Sequence, residues 1–170
     1  METQIFIGVG ANISPEENIL CALDMLKEGA RVTGCSNFYR TRPVDRPTQE
    51  DFYNGVWQIC SPLSAVEIRE QLLRKIEKSL NRVRTADPSA ARTIDLDLLV
   101  YGDLVMDIEP VLPSPDIAKR SFVAGPLFDL AGDIDVSPLG DSLKAIVETM
   151  DLSKMVLLGE FTAKLKTRIK

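Results

Sequence analysis

Histidine is absent from the 170 residues, and that absence excludes more chemistry than any other feature of the composition. No Ser-His-Asp triad, no Cys-His dyad and no imidazole base can be assembled. Histidine-ligated zinc and the two-His-one-carboxylate iron site are excluded with them. Cysteine is scarce as well: Cys21, Cys35 and Cys60 are odd in number, widely spaced and contain no CxxC pair. They predict neither a disulfide framework nor a thiolate zinc site, and they fit a reducing cytoplasm. Long apolar runs are missing too. The amino-terminal METQIFIGVG has no basic region before its short apolar stretch, and nothing approaches the roughly 20 apolar residues of a membrane span. Chemistry is left to carboxylates, arginines, lysines, hydroxyls, backbone groups or an oxygen-liganded metal.

What is present is an ordinary globular composition, 45% hydrophobic and 26% charged, long enough for one domain with a core of its own. The net charge of −5 argues against a general nucleic-acid binder. The charge is unevenly spread. From Arg69 to Arg92 seven basic and three acidic residues give a net of +4, leaving −9 for the rest of the chain. That contrast fits a focused anion site or a solvated helix face.

Patterning predicts a βαββαβ order followed by a hairpin and further helices. Ile5 to Val9 reads as a buried strand that ends in a glycine-rich strand-to-helix loop, Gly8 to Asn12. Ser14, Pro15 and Glu17 mark a helix start, with Ile19, Leu20, Leu23 and Leu26 as its apolar face. Strands are predicted over 31–39 and 53–60. Ser64 and Glu67 form a second capping box, opening a helix with Ile68, Leu72, Ile76 and Leu80 at steps of four. A mobile loop over 81–91 leads to the strongest strand, 94–101, which turns at Gly102 toward a partner near 104–106. Helices are expected around 121–130 and 141–149, then a frayed basic tail. The fold class is α+β, with helices packed on an antiparallel-rich sheet.

The run Arg92 to Gly102 carries the chemistry. On a strand, Asp95 and Asp97 share one face about 7 Å apart, while Ile94, Leu96, Leu98 and Val100 point to the core. Two carboxylates held side by side repel unless a cation lies between them, and Mg²⁺ suits them. Two acids facing water on a half-exposed sheet fit the pattern equally, as does the DxD motif of nucleotide-sugar glycosyltransferases. Arg82, Arg84 and Arg92 supply permanent charges suited to phosphate oxygens, or to neighbouring surface acids. Phe52, Asn54 and Phe122 suit a planar heterocycle, although aromatics so placed also serve as plain core.

Taken in order, the segments Ile7 to Asn12, Phe38 to Pro43 with Asp51 to Asn54, Glu77 to Arg84, Arg92 to Gly102, and Leu112 to Phe128 resemble the 6-hydroxymethyl-7,8-dihydropterin pyrophosphokinase family. The resemblance covers about 4–150 of a single domain spanning 1–170, with 151–170 as an extension. It implies a ferredoxin-like core and transfer of pyrophosphate from ATP to a pterin hydroxymethyl group in folate synthesis. Asp95 and Asp97 match the ligands of two Mg²⁺ ions, and Arg82 and Arg92 match catalytic positions. Glu77, Arg84, Ile94, Ser114 and Arg120 match positions near the nucleotide. Gly10, Thr41, Pro43, Val44, Phe52, Asn54 and Phe122 match the pterin pocket, Phe122 by stacking and Asn54 by reading the ring edge. A cytoplasmic monomer or weak homodimer is expected, with no nucleic-acid or membrane partner. Three positions depart from the family pattern: Ala11 replaces a serine, Asp87 to Ala91 replaces a basic, aromatic loop, and Ser114 replaces a histidine.

Overall fold

The computed structural model describes residues 3–43 and 46–170. A single antiparallel sheet forms from β1 (Ile5–Ala11), β2 (Arg31–Cys35), β3 (Tyr39–Thr41), β4 (Phe52–Cys60), β5 (Asp95–Tyr101) and β6 (Val156–Leu157). Its order is β5-β1-β4-β3-β6, with β2 pairing the other half of β4. Merging β2 and β3 as one interrupted strand gives the strand order of a ferredoxin-like βαββαβ core. The interruption corrects the single strand expected over 31–39. At Ser36 the chain pins itself to Val56, its N–H donating to the Val56 carbonyl (2.9 Å) while its Oγ accepts the Val56 N–H (2.8 Å). Phe38 then lies flat over Gly55, where any Cβ would fall 2.3 Å from the ring.

Two apolar clusters fill the two faces of the sheet. Ile7, Trp57, Ile59, Leu96 and Leu98 meet Ile19, Leu23 and Leu26 of α1 (Pro15–Gly29) on one face. Phe6, Val56, Leu99 and Val100 meet α5 (Ser121–Ala131) and α6 (Leu143–Glu148) on the other. The side expected for Val100 is therefore corrected. A bulge where the β1–β5 register shifts between Phe6 and Ile7 inserts Leu99 and reverses the alternation beyond it.

The second long helix runs through α2 (Ala65–Glu67), a π-helical stretch Ile68–Leu73 and α3 (Arg74–Ser79). Apolar residues at strict steps of four drift around a 3.6-residue helix, and the wider turns keep Ile68, Leu72 and Ile76 buried together. The Ser64–Glu67 capping box forms as expected. Ser14 does not cap α1: it sits at φ 41 with no side-chain cap bond, and Asn18 closes that corner by donating to the Ile13 carbonyl (2.7 Å). The partner strand expected near 104–106 is only one bridge, Met106 to Leu112.

The carboxyl-terminal segment is built into the fold. Helix α7 (Gly159–Ile169) buries Phe161, Thr162 and Leu165, and Phe161 meets Phe38 edge-on at 5.8 Å between ring centroids. Thr162 Oγ1 accepts the Phe38 N–H (2.9 Å), and Arg168 pairs with Asp24 of α1. The frayed tail is therefore corrected: two of its apolar side chains, Phe161 and Leu165, close one end of the core. Among the described residues no helix is long and apolar enough to cross a membrane.

Candidate active site

β1 lays the floor of the site. The expected loop at Gly8–Asn12 is a correction, because β1 stays extended through Ala11 and its glycines are strand residues. Gly8 and Gly10 stand opposite Asp97 and Asp95 on β5, and opposite Val56 and Asn54 on β4. A Cβ at Gly10 would lie 2.9 Å from Asn54 Oδ1. Bare backbone between the carboxylates and the amide thus keeps that face of the sheet open. A small cleft bordered by Gly8, Gly10, Asn54, Asp95, Asp97, Asp116 and Phe122 results.

The two aspartates differ in their company. Asp95 is ion-paired with Arg92 and lies 3.7 Å from Arg82. Among the described residues Asp97 has no cationic partner within ion-pair distance. Although water reaches it from the cleft mouth, crowding by protein and then repulsion from Asp95, Glu77 and Asp116 push its carboxyl up to about 7, with Arg84 opposing. That surplus negative charge is what a divalent cation would neutralise. Among the described residues no three His, Cys, Asp or Glu side chains converge on one point. Two carboxylates beside open space are nonetheless a suitable donor set for Mg²⁺, which keeps water and phosphate oxygens as its remaining ligands.

Arg82 is almost buried, at 9% side-chain exposure, and its Nε has no hydrogen-bond partner. Burial holds it below its ordinary pKa while Asp95 pulls the other way. A desolvated guanidinium with an idle donor is suited to an anion. Glu77, by contrast, is 2% exposed with both oxygens engaged: Oε1 accepts the Leu96 N–H (3.0 Å) and Oε2 accepts from Arg84 (2.6 Å). It holds α3 to β5 and aims Arg84.

Beside the carboxylates a pocket of about 110 Å³ is lined by Gly10, Thr41, Pro43, Phe52, Asn54, Arg92, Asp95 and Phe122, so seven of these sequence-predicted positions besides Asp95 converge. Asn54 Nδ2 donates to Thr41 Oγ1 (2.7 Å), which fixes the amide. Each aromatic ring has a guanidinium over it: Arg92 lies 5.6 Å from the Phe52 centroid, and Arg120 lies 5.7 Å from that of Phe122. Val44 lies outside the described residues. Ile94 is fully buried among the core residues, so its side chain offers the cleft no surface. Ser114 is engaged locally, its N–H donating to the Leu99 carbonyl (2.7 Å) and its Oγ 3.4 Å from the Asp116 nitrogen.

Sequence reasoning missed Asn12. Buried to 3% exposure, it accepts the Arg92 N–H at Oδ1 (2.8 Å) and donates to the Glu50 carbonyl (3.1 Å) and Gln49 Oε1 (3.3 Å). One amide thus fastens the loops on either side of the pocket. Gln49 donates on to the Ser89 carbonyl (3.0 Å), and Arg46 pairs with Asp87 (2.7 Å). The loop expected to be mobile is therefore tied at two points, Asp87 and Ser89, and Arg92 just beyond it is held by Asn12. Asn12→Ala should cost about 1–2 kcal/mol, because it removes the partner of part-buried backbone groups in two loops at once. Urea denaturation measures that loss.

The fold and this cleft define an α+β protein of the phosphate-handling kind, with two strand carboxylates, a buried arginine and an aromatic slot on one sheet face. Comparisons give the family. Residues 6–132 match the model of the 7,8-dihydro-6-hydroxymethylpterin-pyrophosphokinase family, and the chain belongs to it. It is 32% identical over 158 residues to the 2-amino-4-hydroxy-6-hydroxymethyldihydropteridine pyrophosphokinase of Haemophilus influenzae, covering 91% of this chain and 97% of that one. It is 34% identical over 149 residues to the protein of that name in Synechocystis sp., covering 85% and 75%. Among solved structures, the fold matches Plasmodium falciparum HPPK-DHPS with pteroate at a TM-score of 0.60 and 11% identity, over 88% of this chain and 43% of that one.

Proposed function

We propose that this protein transfers the pyrophosphoryl group of ATP to the hydroxymethyl oxygen of 6-hydroxymethyl-7,8-dihydropterin, releasing AMP, with Mg²⁺ held at Asp95 and Asp97. The observation that carries the reading is the placement of both carboxylates, through Gly8 and Gly10, on the sheet face that also bears Asn54 and Phe122. The pterin fits between Phe52 and Phe122, with Asn54 and Thr41 reading its polar edge. Arg82 and Arg92 meet the phosphate oxygens, and Arg84 and Arg120 reach the nucleotide from the cleft rim. The pterin hydroxyl oxygen forms a bond to the β-phosphorus as the bond from that phosphorus to the α,β-bridging oxygen breaks; AMP departs and the hydroxyl proton passes to water. Bound metal supplies neutralisation of phosphate charge, and two ions are the expected number. The chain's own contribution is positioning and charge, so histidine is not required.

A single domain acting as a cytoplasmic monomer or weak homodimer fits the acidic charge and the three free cysteines. AMP release is the test. It should require ATP, the pterin and Mg²⁺ together, and EDTA should abolish it. Pterin binding with no AMP formed under these conditions would overturn the reading.

A further inference from the structure

A larger cavity, of about 590 Å³, adjoins the aromatic slot. It lies between β3, the turn from α4 (Asp116–Lys119) into α5, and the segment 151–156 that leads into β6. Its size is that of a small-molecule site. Thr41, Arg42, Arg120 and Phe122 border both spaces, so the two join beside the Phe122 ring. Neither Asp95 nor Asp97 borders the larger one.

Its charge is opposite to that of the carboxylate end. Five cationic side chains line it against the two acids Asp51 and Asp151. Arg40 lies 3.7 Å from Asp51, and Arg120 is engaged by Asp116 at 3.1 Å. Among the described residues no ion pair engages Arg42, Lys119 or Lys154. Phe122, Met155 and Val156 supply apolar wall between these charges. An aromatic body ending in an oxyanion matches this lining: the ring lies on the apolar wall and the anion meets the cations.

We propose that slot and cavity together bind a pterin bearing an anionic aryl arm, which inhibits the enzyme by occupying the substrate's place. The inference rests on the slot being the pterin site. Charge decides the orientation. Without nucleotide and metal, Asp95, Asp97 and Asp116 repel an anionic arm, whereas the cavity attracts it. The ring of such a conjugate therefore turns its arm away from the carboxylates. The substrate, with its short neutral hydroxymethyl group, faces them. Lys154 lies beyond the 6–132 family match, so the carboxyl-terminal segment supplies one of the five cations.

Pteroate and pteroylglutamate are the probes, titrated against AMP formation and, independently of turnover, by quenching of pterin fluorescence on the full-length protein. Both should compete with the pterin substrate. Lys154→Glu combined with Lys119→Glu should weaken both by about tenfold or more, while the substrate KM changes by less than about twofold. The paired neutral changes Lys154→Ala and Lys119→Ala should give a smaller loss of the same sign. An arm-less 6-methylpterin should bind wild type and variants alike. Equal affinity of pteroate for wild type and the Glu variant overturns the proposal. So does Lys154-dependent binding of inorganic pyrophosphate without any of pteroate, which would make the cavity a plain phosphate site. If AMP formation is absent but fluorescence shows Lys154-dependent pteroate binding, the function reading fails and the binding site stands without its inhibitory role.

Discussion

Asp97→Ala should lower AMP formation by about a thousandfold or more while leaving pterin binding intact. Phosphoryl-type transfer depends on positioning and on neutralising charge, and loss of one group aimed at that charge typically costs a factor of this order. Among the described residues Asp97 holds no ion pair that its removal would break, and its neighbouring carboxylates repel it, so the substitution should not unfold the chain. In metal-free protein it should even stabilise the fold near neutral pH. The sign follows from linkage. A carboxyl whose folded pKa stands near 7, against an ordinary 3.8, is protonated in the native state across a window where the unfolded chain has already lost the proton. The native state binds more protons there, so the contribution of Asp97 to stability is fully present below about pH 4 and is lost as pH rises toward 7. Thermal melts in EDTA should show this decline in wild type and a weaker one in Asp97→Asn. Mg²⁺ with a non-hydrolysable ATP analogue should restore stability at pH 7 in wild type only. An unchanged rate in Asp97→Ala would remove the aspartate pair from the mechanism.

What was legible in the sequence was what depends on neighbours in the chain. The Ser64–Glu67 box, the apolar face of α1 and the paired faces of β5 follow from spacings of two to four residues, and all three are present. The same period-two reasoning placed Asp95 and Asp97 on one face. It failed at Val100, because a bulge against Phe6 and Ile7 is a property of the strand pair rather than of β5 alone. Gly8 and Gly10 suggested a loop, since glycine favours turns. Only the register showed that they face Asp97, Asp95 and Asn54, where bare backbone is needed. The tail was misjudged for a related reason. Phe161 and Leu165 are four apart on one side of a basic helix, and their burial depends on Phe38, more than a hundred residues earlier. Asn12 gives no local signal, because its three side-chain bonds reach 37 to 80 residues away.

Glu77→Ala should destabilise the protein by about 2–3 kcal/mol, whereas Glu77→Gln should cost about 1 kcal/mol or less. β5 is an edge strand of the sheet, and Glu77 Oε1 satisfies the outward N–H of Leu96 with no water at hand. Alanine leaves that donor buried and empty and opens a gap between α3 and β5. Glutamine keeps an acceptor for Leu96 and loses only the charge facing Arg84, whose half-exposed guanidinium regains water. The cost to alanine is held down because Glu77 is one of the carboxylates repelling Asp97. For the same reason Glu77→Gln should lower the Asp97 pKa, shifting the stability decline of the metal-free protein toward acid. Turnover separates positioning from contact. If Glu77 touched substrate, glutamine would raise KM; as a residue that aims Arg84 and anchors β5, it should leave KM near wild type and lower kcat. Urea midpoints with an unchanged m-value, read beside that kcat–KM split, test both halves of the argument.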